Sequence, residues 1–175
     1  EVRLAHPLCR KTDVDRDSPD RTNDFVIKVA TVNGTGSASA NGMLMQAIFR
    51  MGVPVSGKNV FPSNIQGLPT WYEIRVNKDG HLARSPKVDL MVTMNPKTYE
   101  QDIAEVSPGE AVLYDSSWPL DEELRRADVM FFGIPLSHMC VESFKGARER
   151  ILMKNIAYVG AVAALLSIDI DVLEE

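Results

Sequence analysis

"VATVNGTGSASANGMLMQAIF", residues 29–49, decides how the rest of the chain is read. The β-branched run that leads into it, "FVIKVATV" (25–32), reads as a buried first strand and stops at a loop holding Gly34 and Gly36. Beyond the loop, "ANGMLMQAIFRMG" (40–52) places Met43, Ala47, Ile48 and Met51 on one helical face, with Gly52 as the C-cap. Strand, glycine-rich turn and helix in direct succession make a corner for an anion. The first turn of a helix offers unpaired N–H groups and roughly half a positive charge.

The familiar nucleotide motifs do not fit this corner. A P-loop needs a lysine after its last glycine to reach the terminal phosphates, and none follows Gly34, Gly36 or Gly42. A dinucleotide fingerprint needs a third glycine where Ser39 stands, and an acid about 20 residues on for the ribose hydroxyls. That acid is missing. Between Asp24 and Glu73 lie 48 residues without one Asp or Glu, where about seven are expected from 24 acids in 175 residues. The same window carries Lys28, Arg50 and Lys58. Ser37, Ser39 and Asn41 add short polar side chains, so the corner suits phosphate, pyrophosphate or carboxylate. The plainer alternative is that two buried elements simply carry few charges.

Outward from this unit, "VPVSGKNVF" (53–61) reads as a short strand and "TWYEIRV" (70–76) as an alternating one, with "NKDG" (77–80) a hairpin turn. Between them, "FPSNIQGLPTW" (61–71) combines a rigid turn, set by Pro62, Gly67 and Pro69, with the polar Ser63, Asn64 and Gln66. "VDLMVTM" (88–94), "EAVLYD" (110–115) and "ADVMFFGIP" (127–135) look like further strands. "PKTYEQDIAEV" (96–106) and residues 147–167 look helical, and Asp169 or Asp171 would cap a last helix. Strands alternating with helices predict an α/β fold of three layers, αβα, with a mostly parallel sheet and one antiparallel hairpin strand near 70–84. In such a sheet the loops at neighbouring carboxyl ends meet over one crevice, so the two turns are expected to line a single pocket. Residues 1–23, which mix both charge signs without a period, read as an extended arm or linker before a domain at 24–175.

Composition narrows the function classes. Hydrophobic residues at 45% and charged ones at 25% are ordinary for a globular domain, and 175 residues suffice for one core. A net charge of −5 argues against a general nucleic-acid or membrane-surface binder. The most apolar segment, "NIAYVGAVAALLSI" (155–168), is shorter than the roughly 20 residues that span a bilayer and reads as a buried core helix. Cys9 and Cys140 cannot build a disulfide framework, a zinc site or a cluster, so a cytoplasmic protein is expected. A start at Glu1 and an end at "DIDVLEE" suggest a piece of a longer polypeptide.

Several residues invite catalytic readings that their spacing discourages. His138 and Cys140 stand two apart, so on a helix their side chains diverge. Asp115 and Ser116 are explained by a strand end, His81 by a solvated turn, and His6 and Cys9 by an arm. Of Trp71 and Tyr72, one belongs to the core and the other to a surface or interface, while Met43, Met45 and Met51 read as core filling.

The strand–glycine loop–helix unit, "PSNIQG" (62–67) and "TWYEIRV" together resemble the gamma domain of the 2-oxoacid:ferredoxin oxidoreductases. In that family a Pro-Ser-x-x-polar-Gly turn follows the glycine loop by some 25–30 residues; here Gly36 to Ser63 spans 27. "VDLMVTMNPKTYE", "AVLYDSS" and "KNIAYVGAVAALLSID" resemble later units of the domain, so the likeness covers residues 24–175. It implies a noncatalytic domain or subunit that helps to bind coenzyme A and to hold the assembly together. Gly34, Thr35, Gly36, Ser37 and Asn41 would contact the ligand, with Ser63, Asn64 and Gly67 beside them. Thiamine diphosphate, Mg and iron–sulfur clusters would sit on partner domains, and ferredoxin would be the acceptor. The fused form of the family, of the 2-oxoglutarate type, opens a longer alpha chain with this domain. The glycine loop is thinner than usual here, Gln66 replaces a frequent arginine, and Asn64 and Ile65 stand where some relatives carry lysines; Lys58 is the nearby basic residue that would compensate. Two other classes remain open at this point: a self-sufficient nucleotide-dependent oxidoreductase, and a purely structural assembly module.

Overall fold

β1 (Asp24–Val32) forms the spine of a mixed sheet in the computed structural model, which describes Leu4 and residues 22–60 and 65–174. It is followed by α1 (Ser37–Arg50), β2 (Val55–Val60), β3 (Pro69–Asn77), β4 (Leu90–Thr93), α2 (Tyr99–Ala104), β5 (Ala111–Asp115), β6 (Met130–Ile134), α3 (Leu136–Ser143), α4 (Ala147–Leu166) and α5 (Ile170–Glu174). The strand order is β2-β3-β1-β4-β5-β6. β1, β4, β5 and β6 pair in parallel, while β3 runs against both of its neighbours, β2 and β1. The fold is thus α/β with a single reversed strand.

The "NKDG" turn forms, with Asn77 Oδ1 accepting from the amides of Asp79 and His81, but it leads into loop, not into a second strand. The partners of the reversed strand come from earlier in the chain. Ile74 faces Ile27 of β1 and Gly57 of β2. Most of the arm at 1–23 lies outside the described residues. Leu4 is buried in the core, its amide donating to Asn23 Oδ1 at 2.8 Å.

Two apolar layers explain why β4 and β5 read as apolar runs, and β1 as one interrupted only by Lys28 and Thr31: both of their faces are covered. Ile27, Val29, Leu90, Val92 and Leu113 meet Leu44 and Ile48 of α1 and Tyr158, Val162 and Leu166 of α4. Ala30, Met91, Val112 and Tyr114 meet Tyr99 and Ile103 of the much shorter α2. Each fully buried Leu, Ile or Val contributes roughly 1.5–3 kcal/mol, so the α1–α4 side dominates stability.

Three expectations shift in register. The buried stripe of α1 runs through Ala40, Leu44, Ala47 and Ile48, which leaves Met43 one step off it and exposed. α4 buries one face, not its whole circumference: Ile156 stays exposed while Tyr158 and Val159 are buried. The predicted helix at 96–106 is a 3₁₀ turn, Pro96–Thr98, capped by the Asn95 side chain, and then the short α2. At the end of the chain Asp169 accepts from the Asp171 amide at 3.0 Å and starts α5. Among the described residues no helix is long and apolar enough to cross a membrane.

Candidate functional site

The turn between β1 and α1 is fixed from several sides. Gly34 and Gly36 adopt φ of 84° and 82°, the left-handed region where a side chain costs roughly 1–2 kcal/mol. A Cβ on Gly34 would stand 2.6 Å from Gln66 Cγ, and one on Gly36 3.0 Å from Leu152 Cδ2. Thr35 Oγ1 donates to the Val32 carbonyl at 2.7 Å, and Asn155 Nδ2 of α4 donates to the Thr35 carbonyl at 2.7 Å. Below the turn, Thr31 Oγ1 donates to Ser37 Oγ at 2.9 Å, and the Tyr158 hydroxyl donates to Asn41 Oδ1 at 2.9 Å. Burial pushes the Tyr158 phenol far above its ordinary range, so it stays a donor.

The second turn is tied to the first because β3 runs against β1. The Asn33 amide donates to the Leu68 carbonyl at 2.8 Å, the Gly67 amide returns a bond to the Asn33 carbonyl at 3.0 Å, and Asn33 Nδ2 reaches the Ile65 carbonyl at 3.2 Å. These bonds leave the start of α1 untouched. Gly36 is its N-cap and brings no side chain, no side-chain cap forms, and no acid stands in the first turn. Among the described residues no side chain accepts from the first amides of α1, which leaves them open to a guest.

Two cavities meet at the glycine turn. The smaller, about 240 Å³, is walled by Thr31, Ser37 and Asn41 on one side and by Asn59, Thr70 and Tyr72 on the other. The larger, about 560 Å³, lies between the turn, Gln66, and Arg148, Ile151 and Leu152 at the start of α4. Gly34 and Gly36 line both. Among the described residues no carboxylate lines either cavity, as the acid-free window of the sequence leads one to expect.

With this geometry in view, comparison with known proteins decides the family. The model of the family described as "Pyruvate ferredoxin/flavodoxin oxidoreductase" matches residues 26–175. The chain belongs to this family. Among solved structures, the 2-oxoglutarate:ferredoxin oxidoreductase of Magnetococcus marinus, with 2-oxoglutarate, coenzyme A and succinyl-CoA bound, is 27% identical at a TM-score of 0.76. That match covers 86% of this chain and 26% of the other, so the chain spans about a quarter of that relative's length. A pyruvate oxidoreductase subunit from Thermotoga maritima shares the fold at 17% identity and a TM-score of 0.67, over 87% of this chain and 82% of that one. The gamma subunit of a keto/oxoacid ferredoxin oxidoreductase from Geobacter sulfurreducens shares it at 16% identity and a TM-score of 0.68, over 86% and 82%. No curated protein matches the chain.

Of the residues singled out in the sequence, Gly34, Gly36, Ser37 and Asn41 border the smaller cavity, and Gly34, Thr35 and Gly36 the larger. Gly67 takes φ of 90° inside the second turn and serves it through its amide, lining neither cavity. Ser63 and Asn64 lie outside the described residues. Lys58 is exposed on β2, opposite Glu73 in the strand register, and lines neither cavity. Sequence reading missed Arg148, Ile151 and Leu152. They follow Gly36 by more than a hundred residues, inside a charged stretch that looks like an ordinary helix start, and only the docking of α4 brings them to the turn.

The residues set aside have structural duties. Trp71 is buried and donates through Nε1 to Asp102 at 2.7 Å, while Tyr72 faces the smaller cavity. Asp102, fully buried, also accepts from Thr93 and Thr98, and burial raises its carboxyl above the usual carboxylate range despite these bonds. Asp115, at the end of β5, accepts from the Ser137 hydroxyl at 2.5 Å and from the amides of Ser137 and Ser117 at 3.2 Å, with Lys154 Nζ 3.7 Å away. Burial pushes the Asp115 carboxyl up, but the bonds from Ser137 and Ser117 outweigh it and hold it below its ordinary value. Cys140 is buried, its thiol raised by desolvation, while His138 is exposed, as their spacing foretold for two unpaired side chains. Among the described residues no group of three or more His, Cys, Asp or Glu is placed to hold a metal ion.

Proposed function

We propose that this chain is the noncatalytic gamma-type part of a 2-oxoacid:ferredoxin oxidoreductase, and that its glycine turn seats coenzyme A. The observation that carries the reading is the uncapped N-terminus of α1, opening on two adjoining cavities that no carboxylate lines among the described residues. Main-chain amides preset by Gly34 and Gly36 need no reorganisation to meet an anion, and a ligand held at both ends loses its freedom before it meets the acyl carbon. The coenzyme A bound in the 27% identical relative supports the choice of ligand. Thiamine diphosphate, Mg and iron–sulfur clusters would belong to companion domains, where decarboxylation and electron transfer to ferredoxin take place. A 2-oxoglutarate-type alpha chain is the favoured context.

Assembly is the second role. Ile151, Leu152 and Ile156 of α4 and Met139 and Val141 of α3 are 44–52% exposed, a concentration of large apolar side chains suited to contact with the rest of the enzyme. Against a self-sufficient nucleotide enzyme stands the lack, among the described residues, of a lining acid to hold ribose hydroxyls.

Titration calorimetry of the assembled enzyme with coenzyme A tests the seat. Ser37→Glu, which sets an anion among the α1 amides, is expected to weaken binding by about 100-fold or more. Binding that is absent from the wild type, or indifferent to this substitution, leaves only the assembly role.

A further inference from the structure

We propose that Arg148 is the anion-pairing side chain of this seat, so that the phosphorylated end of the ligand occupies the larger cavity and its uncharged arm the smaller. The inference rests on the coenzyme A reading above and goes beyond it by assigning the direction in which the ligand lies and the residue that sets it.

The basic residues at the start of α4 are not equivalent. Arg150 donates to the Phe144 carbonyl at 2.6 Å, and Lys154 stands 3.7 Å from the buried Asp115. Arg148 has no hydrogen bond or ion pair among the described residues, and it is the charged side chain on the larger cavity. Its neighbour Glu149 folds back toward Gly146, with Oε2 3.4 Å from where a Cβ on that glycine would stand, and lines neither cavity. Among the described residues the guanidinium is therefore matched by no acid, and Ile151, Leu152 and Gln66 line the same cavity. A planar cation beside low-dielectric walls fits a phosphate by paired hydrogen bonds better than it fits any neutral group.

The smaller cavity offers the complementary chemistry. Thr31, Ser37, Asn41, Asn59 and Thr70 present hydroxyls and amides with no formal charge, and Tyr72 gives a flat apolar wall. Such a lining suits a chain of amide groups. The two spaces share Gly34 and Gly36 as lining, with Gln66 and Leu152 packed close over these glycines, so one ligand reaching both would run along the main chain beside those two side chains. Arg148 thereby supplies a cation that residues 65–68 of the second turn do not.

The test compares coenzyme A with pantetheine, which lacks every phosphate, by calorimetry on the assembled enzyme. Arg148→Gln is expected to raise the Kd for coenzyme A by about 10- to 100-fold, to leave that for pantetheine unchanged, and to flatten the salt dependence of coenzyme A binding; Arg148→Lys should restore part of the loss. An exposed side chain can be changed without unfolding the chain, and an unchanged Tm verifies this. If Arg148→Gln weakens both ligands equally, the residue acts through structure and the proposal falls. If the wild type binds coenzyme A and Arg148→Gln binds it equally well, the orientation is wrong while the seat survives. If the wild type binds neither ligand, both fall together.

Discussion

Two helices start at the same edge of the sheet and treat their first turns in opposite ways. α1 leaves β1 through Gly36, with no side-chain cap, no acid and open space in front of it. α3 leaves β6 beside the carboxylate of Asp115, which accepts from the Ser137 amide and hydroxyl and lies near the ammonium of Lys154. One terminus is closed by the protein; the other stands open to the ligand proposed above. The difference teaches that a helix start marks a binding corner only when the chain withholds its own acceptor. Asp115, buried beside a serine and a lysine, has its carboxylate engaged there: it ties Ser137 of α3 to the end of β5 and also accepts from the Ser117 amide.

Breaking the closed terminus should cost most. Asp115→Ala leaves two amides and a hydroxyl without an acceptor and Lys154 without its counter-charge, and is expected to destabilise the fold by roughly 3 kcal/mol in urea or thermal denaturation, with the Kd for coenzyme A unchanged in the protein that remains folded. The milder Asp115→Asn should show a pH signature. The native carboxyl is held below its unfolded value, so the stability it gives is fully present above about pH 4 and is lost as pH falls through the lower native value. The advantage of wild type over Asp115→Asn should therefore be large at neutral pH and shrink in acid. Next comes Ser37→Glu, which should cost the open terminus its ligand by about 100-fold while its effect on Tm stays the smaller of the two. Gly36→Ala forces φ of 82° on a side chain and presses Leu152, an expected loss of roughly 1–2 kcal/mol in denaturation, with weaker ligand binding as the turn shifts. The smallest effect belongs to Lys58→Gln, which touches neither cavity and should leave both Kd and stability within about 0.5 kcal/mol of wild type.

The fold was legible wherever burial wrote a period into the sequence. β1, β4 and β5 are buried on both faces, and their largely apolar runs said so. The reversed direction of β3 was legible in its alternation, but its pairing was not. The "NKDG" turn promised a partner downstream, whereas β3 inserts between two strands that precede it, a choice made by the joint burial of Ile74 and Val76 under α1. Met43 shows the limit for helices. A periodic stripe tolerates a phase error of one residue, and only the packing of Leu44 against β1 fixes it. At the site, the glycine turn and its missing acids could be read because they are local. Arg148 could not, since no spacing relates residue 148 to residue 36 until α4 has docked.

The reversal of β3 also orders the construction of the site in time. Leaving β1, leaving β2 and returning into β3, the polypeptide visits the same rim of the sheet three times, and every wall of the smaller cavity falls within residues 31–72. A chain synthesised only this far already carries those residues, while the larger cavity also needs residues 148–152, close to the end of the described chain. The proposed seat thus joins an early stretch of the sequence to the start of its last long helix.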